Sequence, residues 1–382
     1  MPNLRFKIFN QKWELKKIEE ITIFMKSGGT PKSRSDLFYS NDGIPFLAIS
    51  DIKNKYLQKT DKYITDLALE KTSTFIFEKD NLVYSIYATI GEISINKIDV
   101  ALPQSILGIK ADKSIIQNEY LYYLLKSNKN KILRLKQTGS QPNLSLEIFK
   151  NINLYLSFNL YEQEKISKFF SLLDQQISLL EIKLQLMEQI IKYLLSFELS
   201  YTNKKIGDEF YLFDGFSFKS TDYDDNGKKV ILTIKNIGIN KLELKKINRT
   251  NKIIENKYEI NKNEIICSLT GAAGFKFSLS DSNYYFNQRT LKIVSKKNEF
   301  DQILMLLLLF RKNKDFISNL ATGSQQNISK KDIKNLNFLK NDFRNIFIAK
   351  ILSRIDKYVN MLIVLKELKI KRKNYYLKKI FL

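Results

Sequence analysis

Between Glu162 and Leu195 the chain reads EQEKISKFFSLLDQQISLLEIKLQLMEQIIKYLL, and this stretch decides the architecture. Ile166, Phe170, Leu173, Ile177, Leu180, Leu184, Met187, Ile191 and Leu194 follow one another in alternating steps of four and three. That spacing puts all of them on one narrow stripe of a helix, the a and d positions of a coiled-coil seam. Neither Gly nor Pro interrupts the stretch, so nothing breaks its hydrogen-bond ladder. A helix of about 35–40 residues, rising about 1.5 Å per residue, is roughly 55 Å long. An apolar stripe of that length needs a partner.

The chain supplies one, because it is duplicated. Thr138-Gly139-Ser140-Gln141-Pro142-Asn143-Leu144-Ser145 returns 184 residues later as Thr322-Gly323-Ser324-Gln325-Gln326-Asn327-Ile328-Ser329. Leu47-Ala48-Ile49-Ser50-Asp51-Ile52 returns as Leu232-Thr233-Ile234-Lys235-Asn236-Ile237, and Asp80 to Ser85, ending in Gly91, returns as Asn263 to Ser268, ending in Gly274. Leu173-Asp174 returns as Ile355-Asp356. Four echoes in one order at nearly constant offset describe two copies of one unit. Ile348, Leu352, Ile355, Val359 and Leu362 repeat the seam. At Lys366 it breaks, which predicts a change of phase onto Leu365 and Leu368. Pairing of the two helices within the chain, antiparallel and holding two globular units apart about a pseudo-twofold axis, is the simplest use of the seam; oligomerisation through it is the other.

Within each copy, short β-rich runs between polar turns, such as Asn81 to Ile90 and Glu264 to Thr270, precede a more helical stretch and then the long helix. The expected class is α+β, with two globular α/β domains and two long antiparallel helices. The boundaries are 1–158 for the first domain, 159–199 for the central helix, 200–340 for the second domain and 341–382 for the distal helix. The longest apolar run, Ile303 to Phe310, is too short to span a bilayer and reads as a buried core helix. No long apolar stretch opens the sequence, so the expectation is a soluble, cytoplasmic chain with no membrane partner.

Composition excludes much chemistry. The 382 residues contain no His, one Cys (Cys267) and a formal charge of +23 from 63 Lys+Arg against 40 Asp+Glu. There can be no Ser-His-Asp or Cys-His nucleophile, no internal disulfide and no His or Cys zinc site. No two prolines adjoin, Cys267 does not follow a proline, and Gly227-Lys228 is followed by Lys229. The loops of amino- and cytosine-5-methyltransferases and the triphosphate-binding loop are therefore missing. Glu181-Ile182-Lys183 and Glu243-Leu244-Lys245 have nuclease-like spacing, but the first sits on the seam helix and reads as solvated charge. The expectation is a non-catalytic chain with no metal and no cofactor of its own.

Recognition remains. The positive charge suits a polyanion, although only nine of the basic residues are Arg and a Lys-rich surface alone accounts for part of it. Lys26-Ser27-Gly28-Gly29-Thr30-Pro31-Lys32-Ser33-Arg34 joins two glycines to hydroxyl and basic donors. Gly28 and Gly29 could let the backbone approach phosphate, with Lys26, Thr30, Lys32 and Arg34 around it, but taken alone the stretch favours an ordinary turn. Lys219 and Lys235 occupy related segments of the second copy. Gln104, Gln288, Arg289, Gln325 and Gln326 are candidates for reading base edges, Gln on adenine and Arg on guanine.

Together these segments resemble the specificity subunit of type I restriction–modification enzymes. The carrying residues are Ser27-Gly28-Gly29-Thr30-Pro31, Gly43-Ile44-Pro45-Phe46-Leu47 and Ser50-Asp51-Ile52. In the second copy they are Lys205-Ile206-Gly207-Asp208, Gly215-Phe216-Ser217-Phe218-Lys219-Ser220 and Val230 to Ile237. Glu162-Gln163 with Ile166, Leu173, Asp174 and Ile177 resembles the start of the family's spacer helices, whereas the second helix has Arg344-Asn345 there. The resemblance implies that each domain reads half of a bipartite, asymmetric double-stranded DNA target. The helices would set the gap and dock two methyltransferase subunits, through Leu173, Ile177, Leu180, Leu184, Met187, Ile355, Val359 and Leu362. Those subunits would use S-adenosylmethionine, and separate motor-nuclease subunits ATP and Mg²⁺. A coiled-coil scaffold, or a carboxylate-metal nuclease, is the alternative from another class.

Overall fold

In the computed structural model, residues 2–32, 37–136, 143–238, 241–269, 274–297, 299–321 and 327–382 are described. They form two units, one of Met1–Leu180 with Leu365–Leu382 and the other of Glu181–Val364.

The first unit is built on two five-stranded sheets. In one, strands follow the order Thr22–Ser27, Ile106–Ala111, Leu82–Ser85, Ile93–Asn96, Tyr56–Leu57. Its middle strands are buried on both faces, as the unbroken apolar run Leu82-Val83-Tyr84 requires. The other sheet runs Tyr39–Ser40, Lys62–Ile64, Ile44–Phe46, Val100–Ala101, Ile76–Phe77. A two-stranded ribbon pairs Glu14–Lys17 with Asn153–Leu156, where burial alternates strictly along the second strand. Helix Asn118–Ser127 packs Tyr120, Leu121, Tyr123, Leu124 and Leu125 into the main core.

The second unit repeats this plan with fewer strands among the described residues. One sheet runs Phe210–Asp214, Thr290–Ser295, Ile265–Ser268, Phe277–Leu279, and the other Asn248–Thr250, Lys229–Leu232, Tyr284–Phe286, Glu259–Ile260. The ribbon recurs as Tyr201–Lys205 with Asn337–Leu339. The run Ile303 to Phe310 lies in helix Phe300–Lys312 at the centre of the core. Among the described residues no helix is long and apolar enough to cross a membrane. Burial pushes up the pKa of the Cys267 thiol in this core, which keeps it protonated.

Each sequence echo has a structural cause. Asp80 and Asn263 take φ of 60° and 70°, and Gly91 and Gly274 take 91° and 73°, so the turns bounding one strand need left-handed residues twice. Leu144 and Ile328 are buried, and Ser145 and Ser329 cap the short helices Leu146–Lys150 and Lys330–Lys334.

The two long helices are Leu160–Ser196 and Phe343–Phe381. Asn159 Oδ1 accepts from Tyr161 N at 3.0 Å and Glu162 N at 3.1 Å, and Asp342 Oδ1 accepts from Asn345 N at 2.9 Å. Both helices therefore start on a side-chain cap. In the first unit they run antiparallel: Phe169 meets Tyr376 at 5.2 Å, Phe170 stacks on Phe381 at 5.9 Å, and Lys369 Nζ donates to Gln176 Oε1 at 2.8 Å. In the second, Ile191, Leu194 and Leu195 pack on the cluster that holds Ile348 and Leu352.

Of the spacer positions, Leu173, Leu180 and Leu362 are buried, while Ile177, Leu184, Met187, Ile355 and Val359 are half-buried. The expected change of phase does not occur. Leu365 and Leu368 are exposed, and the four-three rhythm continues through Lys366, Lys369, Lys373, Tyr376 and Ile380, all partly or wholly buried. Long lysine stems cover apolar surface while their ammonium groups reach polar partners, so a charged residue holds a seam position that the apolar pattern hides.

Candidate nucleic-acid interface

In the first unit three segments converge on one sheet edge. Strand Thr22–Ser27 carries Lys26 opposite Gly108. Past its end Gly28 N donates to Pro103 O at 3.2 Å, and Gln104 N donates to Thr30 Oγ1 at 3.3 Å. Ile86 N donates to Ser105 O at 3.0 Å and Leu144 N to Ile86 O at 2.9 Å, which brings in residues 143–145. The parallel pairing of Phe46 with Ala101 sets the turn Ile49–Asp51 beside them. Lys26, Thr30, Lys32 and Gln104 are all exposed, and the Lys26 ammonium lies 5.0 Å from the centre of the Phe75 ring.

The second unit builds the same edge. Gly215 N donates to Thr290 O at 3.3 Å and Gln288 N to Phe216 O at 3.0 Å. Leu269 N donates to Arg289 O at 3.1 Å and Ile328 N to Leu269 O at 3.0 Å. Leu232 pairs in parallel with Phe286, which brings up the turn Ile234–Asn236. Lys219, Lys235, Gln288 and Arg289 are exposed. Gln104 and Gln288 thus stand at one place in the repeated plan, as do Ser50 and Lys235. Arg34, Gln325 and Gln326 lie outside the described residues.

The reading of the glycines is corrected. Gly28 and Gly29 are buried, and the Gly28 amide is already bonded. A Cβ on Gly28 would lie 1.7 Å from Leu102 O, and one on Gly29 2.2 Å from Ser73 Oγ. The pair lets two backbones touch, and so presents Thr30 and Lys32 rather than cradling phosphate itself. Gly215, whose Cβ would lie 2.0 Å from Asn287 O, does the same in the second unit.

Electrostatics distinguish the two edges. Ala48 N donates to Asp51 Oδ2 at 2.9 Å; Thr233 N donates to Asn236 Oδ1 at 3.0 Å. Burial, with the neighbouring Asp61 charge behind it, raises the Asp51 pKa, whereas the second unit uses a neutral amide there. Sequence reasoning missed two further residues at these edges: Tyr87, which bridges to Asn143, and Asn287, whose side chain accepts from Arg289 N at 3.3 Å. Tyr87 reads as part of an apolar run and Asn287 as a common loop residue; only the repeated position of the turn marks them.

Ammonium and hydroxyl groups can neutralise and bond phosphate, and amides can pair with base edges as donor and acceptor together. Among the described residues no group of three or more His, Cys, Asp or Glu is placed to hold a metal ion.

Fold and edges define a class: a duplicated recognition protein whose two α/β domains each present a polar, basic loop edge and share two long helices. The chain belongs to the specificity-subunit family of type I restriction–modification enzymes. The family description "Type I restriction modification DNA specificity domain" matches residues 10–189 and again residues 199–372. The MjaIX specificity subunit of Methanocaldococcus jannaschii is 28% identical over 184 residues, 47% of this chain and 41% of the relative. The EcoR124I/EcoR124II specificity subunit of Escherichia coli is 25% identical over 151 residues, 36% of this chain and 35% of the relative. The matches thus span under half the length of these curated relatives. The crystal structure of a type I S subunit from M. genitalium superposes with a TM-score of 0.69 at 15% identity, covering 100% of this chain and 99% of that one. A chain from a study of complex assembly and conformational transition in a type I system gives 0.56 at 12%, covering 97% of each. These two likenesses are of fold.

Proposed function

We propose that this chain selects the DNA target for partner enzymes and performs no chemistry itself. Each unit reads one half of a bipartite, asymmetric double-stranded site through its loop edge, and the long helices set the unread gap. The helices also dock two methyltransferase subunits, which bring S-adenosylmethionine; motor-nuclease subunits bring ATP and Mg²⁺. One observation carries the reading: the same loop edge is built twice, with Gln104 and Gln288 exposed at the same place in it. Because Ser50 of one unit is replaced by Lys235 in the other, and Asp51 by Asn236, the two half-sites are expected to differ.

The test is to purify the chain with the methyltransferase of its own system and map methylated adenines across a genome. One bipartite motif with a fixed gap is the expected result. An active partner without any motif, or DNA affinity with neither salt dependence nor sequence preference, would instead favour a protein-binding scaffold.

A further inference from the structure

Each long helix carries an aspartate at the same place in the repeat, Asp174 and Asp356, directly after a seam residue. In the first unit Tyr123 Oη donates to Asp174 Oδ2 at 2.8 Å, and Lys373 Nζ pairs with Oδ1. In the second, Arg311 Nη1 donates to Asp356 Oδ1 at 2.9 Å and Oδ2 at 3.0 Å. Tyr123 and Arg311 lie on corresponding domain helices, Asn118–Ser127 and Phe300–Lys312. The donors differ in kind, yet both units tie domain to helix through a carboxylate.

The remaining contacts at these two places are mainly packing contacts, although Asp174 also faces the ammonium groups of Lys55 and Lys126. The start of the first helix is tied separately through Glu162 and Gln163. Tyr123 meets Phe170 at 5.1 Å, and Leu304, Leu308 and Leu352 line one cavity together with Arg311 and Asp356. A seam that repeats every turn has neighbouring registers of similar apolar burial, and a polar group buried at one place selects among them. A slip of one turn is about 5.4 Å, more than the roughly 3.4 Å spacing of base pairs along DNA. It would therefore move a reading edge by one to two base pairs.

We propose that Asp174 and Asp356 are positioning residues that fix the phase of each recognition unit on its helix, and so the gap length that is accepted. This rests on the reading above of a bipartite target. The test uses the full complex with its methyltransferase, and duplexes carrying the two mapped half-sites at the mapped gap and at one base pair more and less. Asp356→Asn and Asp174→Asn are expected to keep both half-site sequences while methylation at the altered gaps rises about tenfold relative to the mapped gap. Tyr123→Phe, which keeps the ring packing and removes only the hydroxyl, is expected to shift the same ratio in the same direction. The exchange Arg311→Asp with Asp356→Arg is expected to restore it. Unchanged gap selectivity in folded variants would overturn the proposal, as would equal loss at every gap, which indicates docking rather than spacing. A wild-type complex that shows no fixed gap would overturn the bipartite reading itself, and the proposal with it.

Discussion

Arg5 grips Glu162 at two points, Nε to Oε1 at 2.6 Å and Nη2 to Oε2 at 2.7 Å. The carboxylate side chain is fully buried and also accepts from Trp13 Nε1 at 3.3 Å and Ser157 Oγ at 2.5 Å. The hydrogen bond to Glu162 holds the Arg5 pKa above its ordinary value. The ion pair ties the N-terminal segment to the first turn of the long helix.

Removing one partner leaves a buried charge uncompensated, which costs about 3–5 kcal/mol. Arg5→Ala is therefore expected to lower the urea midpoint of the first unit steeply. Arg344, at the equivalent place on the second helix, is exposed, so Arg344→Ala should change stability by no more than about 0.5 kcal/mol.

The glycines separate packing from binding. Gly28→Ala forces a methyl group onto the Leu102 carbonyl and is expected to destabilise at the upper end of about 1–3 kcal/mol. Gly29→Ala should cost less, because the nearest atom is the hydroxyl of a side chain, Ser73 Oγ. Thermal unfolding without DNA measures both; normal stability with lost DNA binding would restore a direct phosphate role.

At the loop edges, Lys32→Ala and Lys219→Ala are each expected to weaken DNA binding for all sequences and to reduce the slope of log K against log salt by about 1. Gln104→Ala and Gln288→Ala should instead change preference within one half-site each, by about 1–3 kcal/mol per base contact. Titration of cognate and scrambled duplexes at several salt concentrations distinguishes the two behaviours.

Lys55 gives a pH signature. Among the described residues its buried ammonium has no hydrogen-bond partner, and it lies over the rings of Tyr123 at 4.8 Å, Tyr56 at 5.0 Å and Tyr122 at 5.9 Å. Burial lowers its pKa, against the attraction of Glu119 and Asp174 and with the repulsion of Lys373 and Lys97. Burial also lowers those of Lys126 and Lys373. A lysine whose folded pKa lies below its unfolded one is less protonated folded than unfolded between the two values. Stability then rises with pH from the lowered folded value up to about 10.5 and is flat below it. Urea midpoints of the first unit are expected to climb across the part of this interval below about pH 9. Above it, ionisation of unfolded tyrosines, whose buried counterparts Tyr84, Tyr120, Tyr122 and Tyr123 have raised pKa values, begins to lower stability. Lys55→Met should make the climb shallower.

The apolar rhythm from Ile166 to Leu194 determines one long helix, because nine seam positions without Gly or Pro admit no other regular structure. The echoes determine the duplication, since turn glycines, buried aliphatics and capping serines are constrained one residue at a time. Side-chain type also limited the chemistry, because a chain without His cannot place one. What depends on contacts between distant residues was hidden. Lys366, Lys369 and Lys373 look like a broken seam until the first two are seen half-buried, the third buried, and Lys373 is found on Asp174. Gly28 and Gly29 allow either a turn or a phosphate cradle until Leu102 and Ser73 are found against them. Gln163 and its counterpart Asn345 show the same division. Both are buried amides that bond chain carbonyls, Gln163 those of Ile115 and Ser157, Asn345 those of Ser200 and Lys340. The sequence alone determined that a polar residue stands there in both copies. Only tertiary structure decided that it is buried, because burial is set by atoms that approach from elsewhere in the chain.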